Sequence, residues 1–396
     1  MATIFVPKET SPGERRTAAT PETVKRLVKD GHTVVIERGA GALAFYTDAE
    51  YEAAGAGISA DGSAVCDADV VAQFSVPSTS LLGRMKLGSS IISFLWAPEN
   101  LDAVRALATR NLSAFAMDSL PRSTRAQKDD ALTSQASLAG YKAVLLAATH
   151  LPKIFPMQMT PAGTIRPARV VILGAGVAGL QAIATARRLG AIVEVSDVRP
   201  EVKEQVQSLG AVYIEVPGTV ASGAGGYAAE QTDEFRRKQQ EVLRERIVAA
   251  DVLITTALIP YRPAPRLVLA DVVRAMRPGS VIVDLAAERG GNVEGTEPGR
   301  TVVKDGVTII GDLQLAGTVA THATDQYAKN VQNVLSDATK KGIFGWDLAD
   351  DIVADALIVH GGDVRHARTR ELLGLPPAPP VDPPLPTAAA SAPARP

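Results

Sequence analysis

Runs of four or five apolar, often β-branched residues recur along this chain, separated by longer segments whose apolar positions repeat at helical spacing. A strand buried on both faces reads as a continuous apolar run, so the alternation predicts α/β units built on parallel sheets. In the first third, strands fall at 3–6, 33–36, 70–74, 91–94 and 113–116, with helices at 20–30, 48–54 and 101–110. Thr20 before Pro21 marks a helix start, a hydroxyl placed to cap and a proline at the first helical position. A long Ala- and Leu-rich helix over 133–150 then carries the chain to a second unit. Strands there are predicted at 170–173, 192–196, 212–216, 252–256, 281–284 and 308–310, and a helix over 324–335 returns toward the first unit.

The second unit opens on its most informative stretch, ARVVILGAGVAGLQAIATARRLGAIVEVSDVR over 168–199. An apolar strand runs into Gly174-Ala175-Gly176-Val177-Ala178-Gly179, then an apolar-rich helix stopped by Gly190, then a second strand ending at Asp197. Gly174 permits the tight turn, Gly176 lets backbone approach a pyrophosphate, and Gly179 lets the helix pack close to its strand. The helix N-terminus points bare N–H groups at the phosphates. A carboxylate at Asp197 is placed to accept both hydroxyls of an adenosine ribose, and it favours NAD over NADP by repelling a 2′-phosphate, with Arg199 the complicating cation. The stretch therefore predicts a dinucleotide site.

The fold class that follows is α/β: two Rossmann-like or flavodoxin-like parallel-sheet domains with a cleft between them, the nucleotide domain inserted in the other. The expected division is 1–132 with 325–374 for the outer domain, 133–324 for the nucleotide domain with its connecting helix, and 375–396 for a tail. That tail is too rich in proline and alanine to build a core.

Composition narrows the function classes. The 396 residues carry a net charge of −2, which gives no electrostatic footprint for nucleic acid or an anionic membrane surface. Cys66 is the single cysteine, which excludes an internal disulfide and suits a reducing compartment. The start, MATIFVPKETSPGERR, has no long apolar core of a secretory signal, and no stretch of about 18 apolar residues predicts a membrane span. The five histidines show no metal-ligand spacing, so no metal site is expected.

Two loops remain unaccounted for by packing. One is PRSTRAQKDD over 121–130, charged and just ahead of the connecting helix; the other is PGTVASGAGGYAAE over 217–230, glycine-rich with the single aromatic Tyr227. The second reads as a linker or as a lid able to close over bound cofactor.

Taken in order, PKETSPGERR, PRSTRAQKDD, SLAGYKA, FPMQMTPAGT, GAGVAGLQAIATARRLGA, GAGGYA, TTALIPYRPAP and MRPGSVIVDLAAERGGN resemble the soluble NAD(H)-binding component, within the alpha subunit, of proton-translocating NAD(P) transhydrogenases. The resemblance runs from about residue 4 to 335. It implies binding of NADH, direct hydride transfer to NADP(H) held on a partner's NADP-binding domain, and docking on membrane-spanning subunits that couple transfer to proton translocation. It also implies a homodimer, peripheral on the cytoplasmic face, with no membrane insertion of its own. By the same resemblance Asp197, Val198 and Arg199 hold the adenosine ribose. Val177, Gly226 and Leu258 line the cofactor, Tyr227 lies on the mobile loop, and Arg122, Gln127 and Asp130 flank the nicotinamide. Arg122 and Asp130, opposite in charge, would pair and fix the loop that presents Gln127.

Alanine dehydrogenases share this architecture and form the second reading. They bind the amino acid with an Arg, a Lys and a His; Arg16 matches the first, but Ser75 and Trp96 stand at the other two positions. Hydride exchange between two nicotinamides needs no substrate proton removed, which suits that absence. A paralogue that binds NAD(H) without catalysis is the third reading. Thr133 stands where the transhydrogenases usually carry Ser, and 312–326 and 342–374 depart further from their pattern.

Overall fold

The computed structural model describes residues 1–215, 233–259 and 261–377. The first unit winds as β1 (Thr3–Val6), α1 (Pro21–Lys29), β2 (Thr33–Glu37), α2 (Asp48–Ala53), β3 (Gly57–Ser59), β4 (Val70–Ala72), α3 (Thr79–Arg84), β5 (Ser90–Ser93), α4 (Leu101–Thr109) and β6 (Ser113–Ala116). Helix α5 (Ala131–His150) crosses to the second unit, where an exposed hairpin, β7 (Gln158–Thr160) and β8 (Gly163–Ile165), precedes the sheet. The second unit then runs β9 (Arg169–Leu173), α6 (Val177–Arg188), β10 (Ile192–Ser196), α7 (Lys203–Ser208), β11 (Val212–Tyr213), α8 (Asp233–Val248), β12 (Val252–Thr255), α9 (Ala270–Ala275), β13 (Val281–Asp284), β14 (Thr301–Lys304) and β15 (Val307–Ile310). Helix α10 (Ala320–Asp337) crosses back to a small hairpin, β16 (Thr339–Lys340) and β17 (Ile343–Phe344). The chain then adds α11 (Asp351–Ala356), β18 (Leu357–His360), β19 (Asp363–Val364) and α12 (Ala367–Leu372).

The two main sheets follow one plan. The first has the order β19-β18-β6-β5-β4-β1-β2-β3 and the second β11-β10-β9-β12-β13-β15-β14. Six parallel strands in each therefore run third, second, first, fourth, fifth, sixth, the doubly wound order with a switch point beside the first strand. Both faces of each sheet are covered. Ile4 and Val6 enter one apolar cluster and Phe5 the opposite one; Val170 and Ile172 likewise part from Val171 and Leu173. That period-two alternation between two buried faces is why the strands are apolar throughout.

The pattern of apolar runs misses strands of three kinds. β3 has only half-buried and exposed positions, and β14 is an edge strand with none buried. β18 joins the first sheet antiparallel to β6 from far along the chain, a pairing that no local signal announces. Helix starts also move: Asp130 caps α5 through the Thr133 N–H at 2.9 Å, so that helix starts at Ala131 and not at Thr133. The expected lid over 217–230, with Gly226 and Tyr227, and almost all of the tail lie outside the described residues. Among the described residues no helix is long and apolar enough to cross a membrane.

Candidate functional site

The sheets present their C-terminal edges to each other across a cleft. Tyr261, after β12, meets Trp96, after β5; Arg289, after β13, pairs with Glu99; and Gln314, after β15, reaches the Pro12 carbonyl at 3.5 Å. Ligands of doubly wound sheets bind outside the carboxyl ends of the strands, so both crevices open into this space.

In the second unit the crevice is shaped by glycine. Gly174 turns at φ +103° and its N–H donates to the Ser196 carbonyl at 2.8 Å, tying the turn to β10. A Cβ on Gly179 would lie 1.9 Å from the Gly174 carbonyl oxygen, so only glycine lets α6 start this close to the turn. A Cβ on Gly176 would meet nothing within 4 Å. Gly176 precedes α6 and has no side chain to cap it, which leaves the first N–H groups of a 12-residue helix facing open space beside half-exposed Val177. That is the arrangement a pyrophosphate requires. Thr256 and Asn292 support it, and the glycine fingerprint does not signal them. The Thr256 hydroxyl lies 3.3 Å from the Gly174 carbonyl, and buried Asn292 clamps the Ala257 N–H and C=O at 3.0 and 2.9 Å, placing half-exposed Leu258 at the crevice edge.

Asp197 ends β10 where a ribose acceptor is expected, but its oxygens are occupied. Oδ2 accepts from the Ala175 N–H at 2.6 Å and from Arg199 Nη2 at 3.0 Å; Oδ1 accepts from the Arg199 N–H at 2.9 Å and Nε at 3.0 Å. The carboxylate holds the Arg199 guanidinium above its ordinary pKa, chiefly through these hydrogen bonds. Val198, between them, is half-buried. The fit to a dinucleotide is therefore good at the turn and conditional at the ribose, because a hydroxyl reaching Asp197 must displace the guanidinium of Arg199.

The 121–130 loop follows β6 and is pinned from outside the cleft. Arg125 pairs with Asp350 at 2.6 Å and with Asp351, Lys128 with Asp337 at 2.7 Å, and the Lys128 carbonyl accepts from Asn330 and Asn333 of α10 at 2.7 and 2.9 Å. Arg122 and Gln127 are exposed on this braced turn. Asp130 gives both oxygens to Thr133, to its N–H at 2.9 Å and its hydroxyl at 2.6 Å. Its carboxylate thus fixes the start of α5, and the expected pair with Arg122 is not among its contacts. Asp129, which no motif in the sequence singles out, is 1 % exposed, and its Oδ1 has no hydrogen-bond partner. Burial pushes its carboxyl up to about 7, against the pull of Lys128.

Gly140 brings the loop and the glycine turn into one site. A Cβ there would lie 2.0 Å from the Ala178 carbonyl oxygen, so α5 packs directly on the first turn of α6. Ten residues of helix, about 15 Å, then separate that contact from Asp130.

Residues 5–139 match the N-terminal domain and 143–367 the C-terminal domain of a family described as alanine dehydrogenase/PNT. The chain belongs to that family. It is 46% identical over 374 residues to the first of the chains that make up the NAD(P) transhydrogenase alpha subunit of Rhodospirillum rubrum, covering 92% of this chain and 97% of that one. The solved structure of transhydrogenase from Sinorhizobium meliloti superposes with a TM-score of 0.81 at 42% identity, covering 92% of this chain and 99% of that one. An alanine dehydrogenase of Halomonas elongata is more distant, 29% identical over 384 residues, covering 94% and 97% of the two chains.

Within the alanine dehydrogenase/PNT family, the first crevice separates the two activities. Arg16 is buried; its Nε and Nη2 donate to Glu14 at 2.7 and 2.6 Å, its Nη1 to Gln135 at 3.0 Å, and its guanidinium lies 3.6 Å over the Phe74 ring. The Ser75 N–H donates to Glu9 at 3.3 Å, and Trp96 stacks on Phe94. No lysine or imidazole stands at either position to take a proton from an amino group.

Proposed function

We infer that this chain is the NAD(H)-binding subunit of a proton-translocating NAD(P) transhydrogenase. Hydride passes directly between NAD(H) held here and NADP(H) held on a partner domain, and membrane-spanning subunits couple that transfer to proton movement. The observation that carries the reading is the open, uncapped start of α6 at Gly176, packed through Gly140 against the helix whose loop presents Gln127. When bound, NADH supplies the hydride; the protein supplies position and field. The backbone of Gly174, Gly176 and Gly179 and the first N–H groups of α6 would hold the pyrophosphate. Asp197, Val198 and Arg199 would hold the adenosine ribose, Val177, Leu258 and Gly226 would line the dinucleotide, and Tyr227 would close over it. Arg122, Gln127 and Asp130 would orient the nicotinamide at the cleft mouth. Identity to transhydrogenase subunits supports this reading over an amino-acid dehydrogenase, as does the engagement of Arg16 by Glu14 and Gln135. The exposed hairpin β7–β8, with Met157, Met159 and Ile165 open on its surface, supports a homodimer, with the assembly peripheral on the cytoplasmic side of its membrane partners.

The deciding experiment mixes the purified protein with an NADP-binding transhydrogenase domain and follows hydride transfer between NADH and an NADP analogue. Transfer by the mixture and by neither component alone is the expected result. Alanine-dependent reduction of NAD by the chain alone would establish the dehydrogenase reading, and NADH binding without transfer would leave a non-catalytic paralogue.

A further inference from the structure

One end of the cleft is bridged by a contact that dinucleotide binding does not require. The Trp96 and Tyr261 rings meet edge to face, centroids 6.3 Å apart and planes at 70°. Both residues hold positive φ, 46° and 57°, a conformation that bulky L residues rarely adopt. Among the described residues six non-glycines do so, and these two touch each other across the cleft. Strained backbone of this kind persists only where surrounding contacts determine it.

Those contacts come from both units. On the first side Trp96 stacks on Phe94, centroids 5.9 Å apart, and Phe94 stacks on fully buried Tyr327 of α10 at 5.7 Å. The Trp96 N–H donates to buried Asp118 at 3.1 Å, and the same carboxylate accepts from the Leu95 N–H at 2.6 Å. From the second side the Tyr261 hydroxyl stands 3.5 Å from that carboxylate, while Arg289 lies over the Trp96 ring at 5.4 Å and pairs with Glu99. A single carboxylate and a single indole thus collect contacts from both sheets.

We propose that Trp96, Tyr261 and Arg289 form a latch between the two units that sets the width of the cleft, and that they are positioning residues for hydride transfer. The proposal rests on the transhydrogenase reading above for the reaction, but not for the geometry. The units are joined by α5 and α10, and a long helix alone leaves the ends of two facing sheets free to rock. Gly176 stands on one side of the cleft and Gln127 on the other, so the latch fixes how one is presented to the other. Misplacement of about 1 Å is enough to slow a positioned reaction about 10²-fold. None of the three side chains lies at the glycine turn, so affinity for the dinucleotide is set elsewhere.

The test uses the full chain with spin labels at Glu52→Cys and Arg188→Cys, exposed positions on α2 and α6, in a Cys66→Ser background. Trp96→Ala, Tyr261→Gly and their combination are compared with Trp96→Phe and Tyr261→Phe. Tyr261→Gly relieves the positive φ while it deletes the ring, so it separates loss of the latch from loss of the fold. The two deletions are expected to broaden the inter-label distance distribution and to slow hydride transfer to an added NADP-binding domain at least tenfold. NADH Kd should stay within twofold, the double variant should be no worse than either single one, and both Phe variants should retain rate and distance. Unchanged distances overturn the latch, as do effects that add between the two positions. A rise in NADH Kd matching the fall in rate would make these binding residues and overturn the positioning role. Failure of the wild-type protein to transfer hydride overturns the reading of function instead, because the distance measurement needs neither cofactor nor partner.

Discussion

The two units share a strand order, yet only one leaves its crevice open. In the second, Gly174 to Gly176 are all that separate β9 from α6, and the helix begins bare. In the first, residues 7–20 separate β1 from α1, and they fold back into their own crevice. Glu9 takes the Phe74 N–H at 2.5 Å, and Arg16 lies on the Phe74 ring, both beside the end of β4. Burial raises the pKa of Glu9, and neighbouring Glu14 adds to the rise. At the start of α1 Thr20 caps the helix, its hydroxyl accepting from the Thr23 N–H at 3.2 Å. Doubly wound topology supplies a crevice in both cases; the turn after the first strand decides whether a ligand or the protein's own side chains fill it.

The sharpest way to break this contrast is at Gly176. Gly176→Val places its Cβ in open space at a φ of −75°, so the thermal midpoint should stay close to that of the parent. The approach of a pyrophosphate would be blocked, and NADH Kd should rise at least 100-fold, about 2.8 kcal/mol. Calorimetry and a melt on the same sample read both. Gly179→Ala is the control, since its Cβ would sit 1.9 Å from a carbonyl oxygen and the fold itself should suffer. An unchanged Kd for Gly176→Val would move the phosphate site elsewhere.

Next in size is the loop of the first unit that faces this turn. Gln127→Asn keeps the amide and retracts it by one methylene from a backbone braced by Arg125, Lys128 and Asn330. Transfer to the NADP-binding domain should slow about 10²-fold while NADH Kd stays the same. A wild-type rate in stopped flow would remove Gln127 from the site.

What the sequence made legible divides along the same line. The glycine turn could be read because each glycine answers a local need: a positive φ at Gly174, a close approach at Gly179. The six parallel strands of the second sheet were legible for the same reason, since each is a short apolar run buried on two faces. Contacts made at a distance were not legible. Asp197 reads as a free acceptor until Arg199 is seen wrapped on it, and Asp130 reads as a partner for Arg122 until Thr133 is seen to take both oxygens. Gly140 lies in a stretch of ordinary helix, and only the approach of Ala178 shows why it lacks a side chain.

Buried carboxylates sharpen the comparison further. Asp284 of the second unit is fully buried and accepts four hydrogen bonds, from Thr255, Ala286, Val293 and Thr296. Asp129 of the first is nearly as buried, with one oxygen unpartnered and a carboxyl at about 7 in place of 3.8. A raised carboxyl pKa favours the protonated form in the fold, so the stability tied to it is complete below about 3.8 and lost as pH rises through about 7. Asp129→Asn, neutral throughout, should match the wild type at pH 4 and exceed it by roughly 1–3 kcal/mol at pH 8. Denaturant titrations at the two pH values check the difference. An equal effect at both would mean that the charge on Asp129 is compensated.

The smallest expected effect tests the other side of the contrast, the helix start that is closed. Thr20 is buried, its hydroxyl accepts from the Thr23 N–H, and its own N–H donates to the Thr23 hydroxyl at 2.9 Å. Thr20→Ala removes one half of that reciprocal cap and should lower stability by about 1 kcal/mol, a fall of roughly 2–4 °C in Tm for a domain of 150–250 residues. NADH affinity should not change, because α1 starts behind a loop that already fills its crevice. The reciprocal change is Gly176→Ser, which offers α6 the hydroxyl it lacks. That hydroxyl would compete for the N–H groups a phosphate needs, so Tm should rise slightly while NADH binding weakens. Opposite signs in the two assays, from cap removal in one unit and cap addition in the other, are what a division between a closed and an open helix start demands. A change in NADH affinity on Thr20→Ala would show that the first helix also serves the ligand, and the division would not hold.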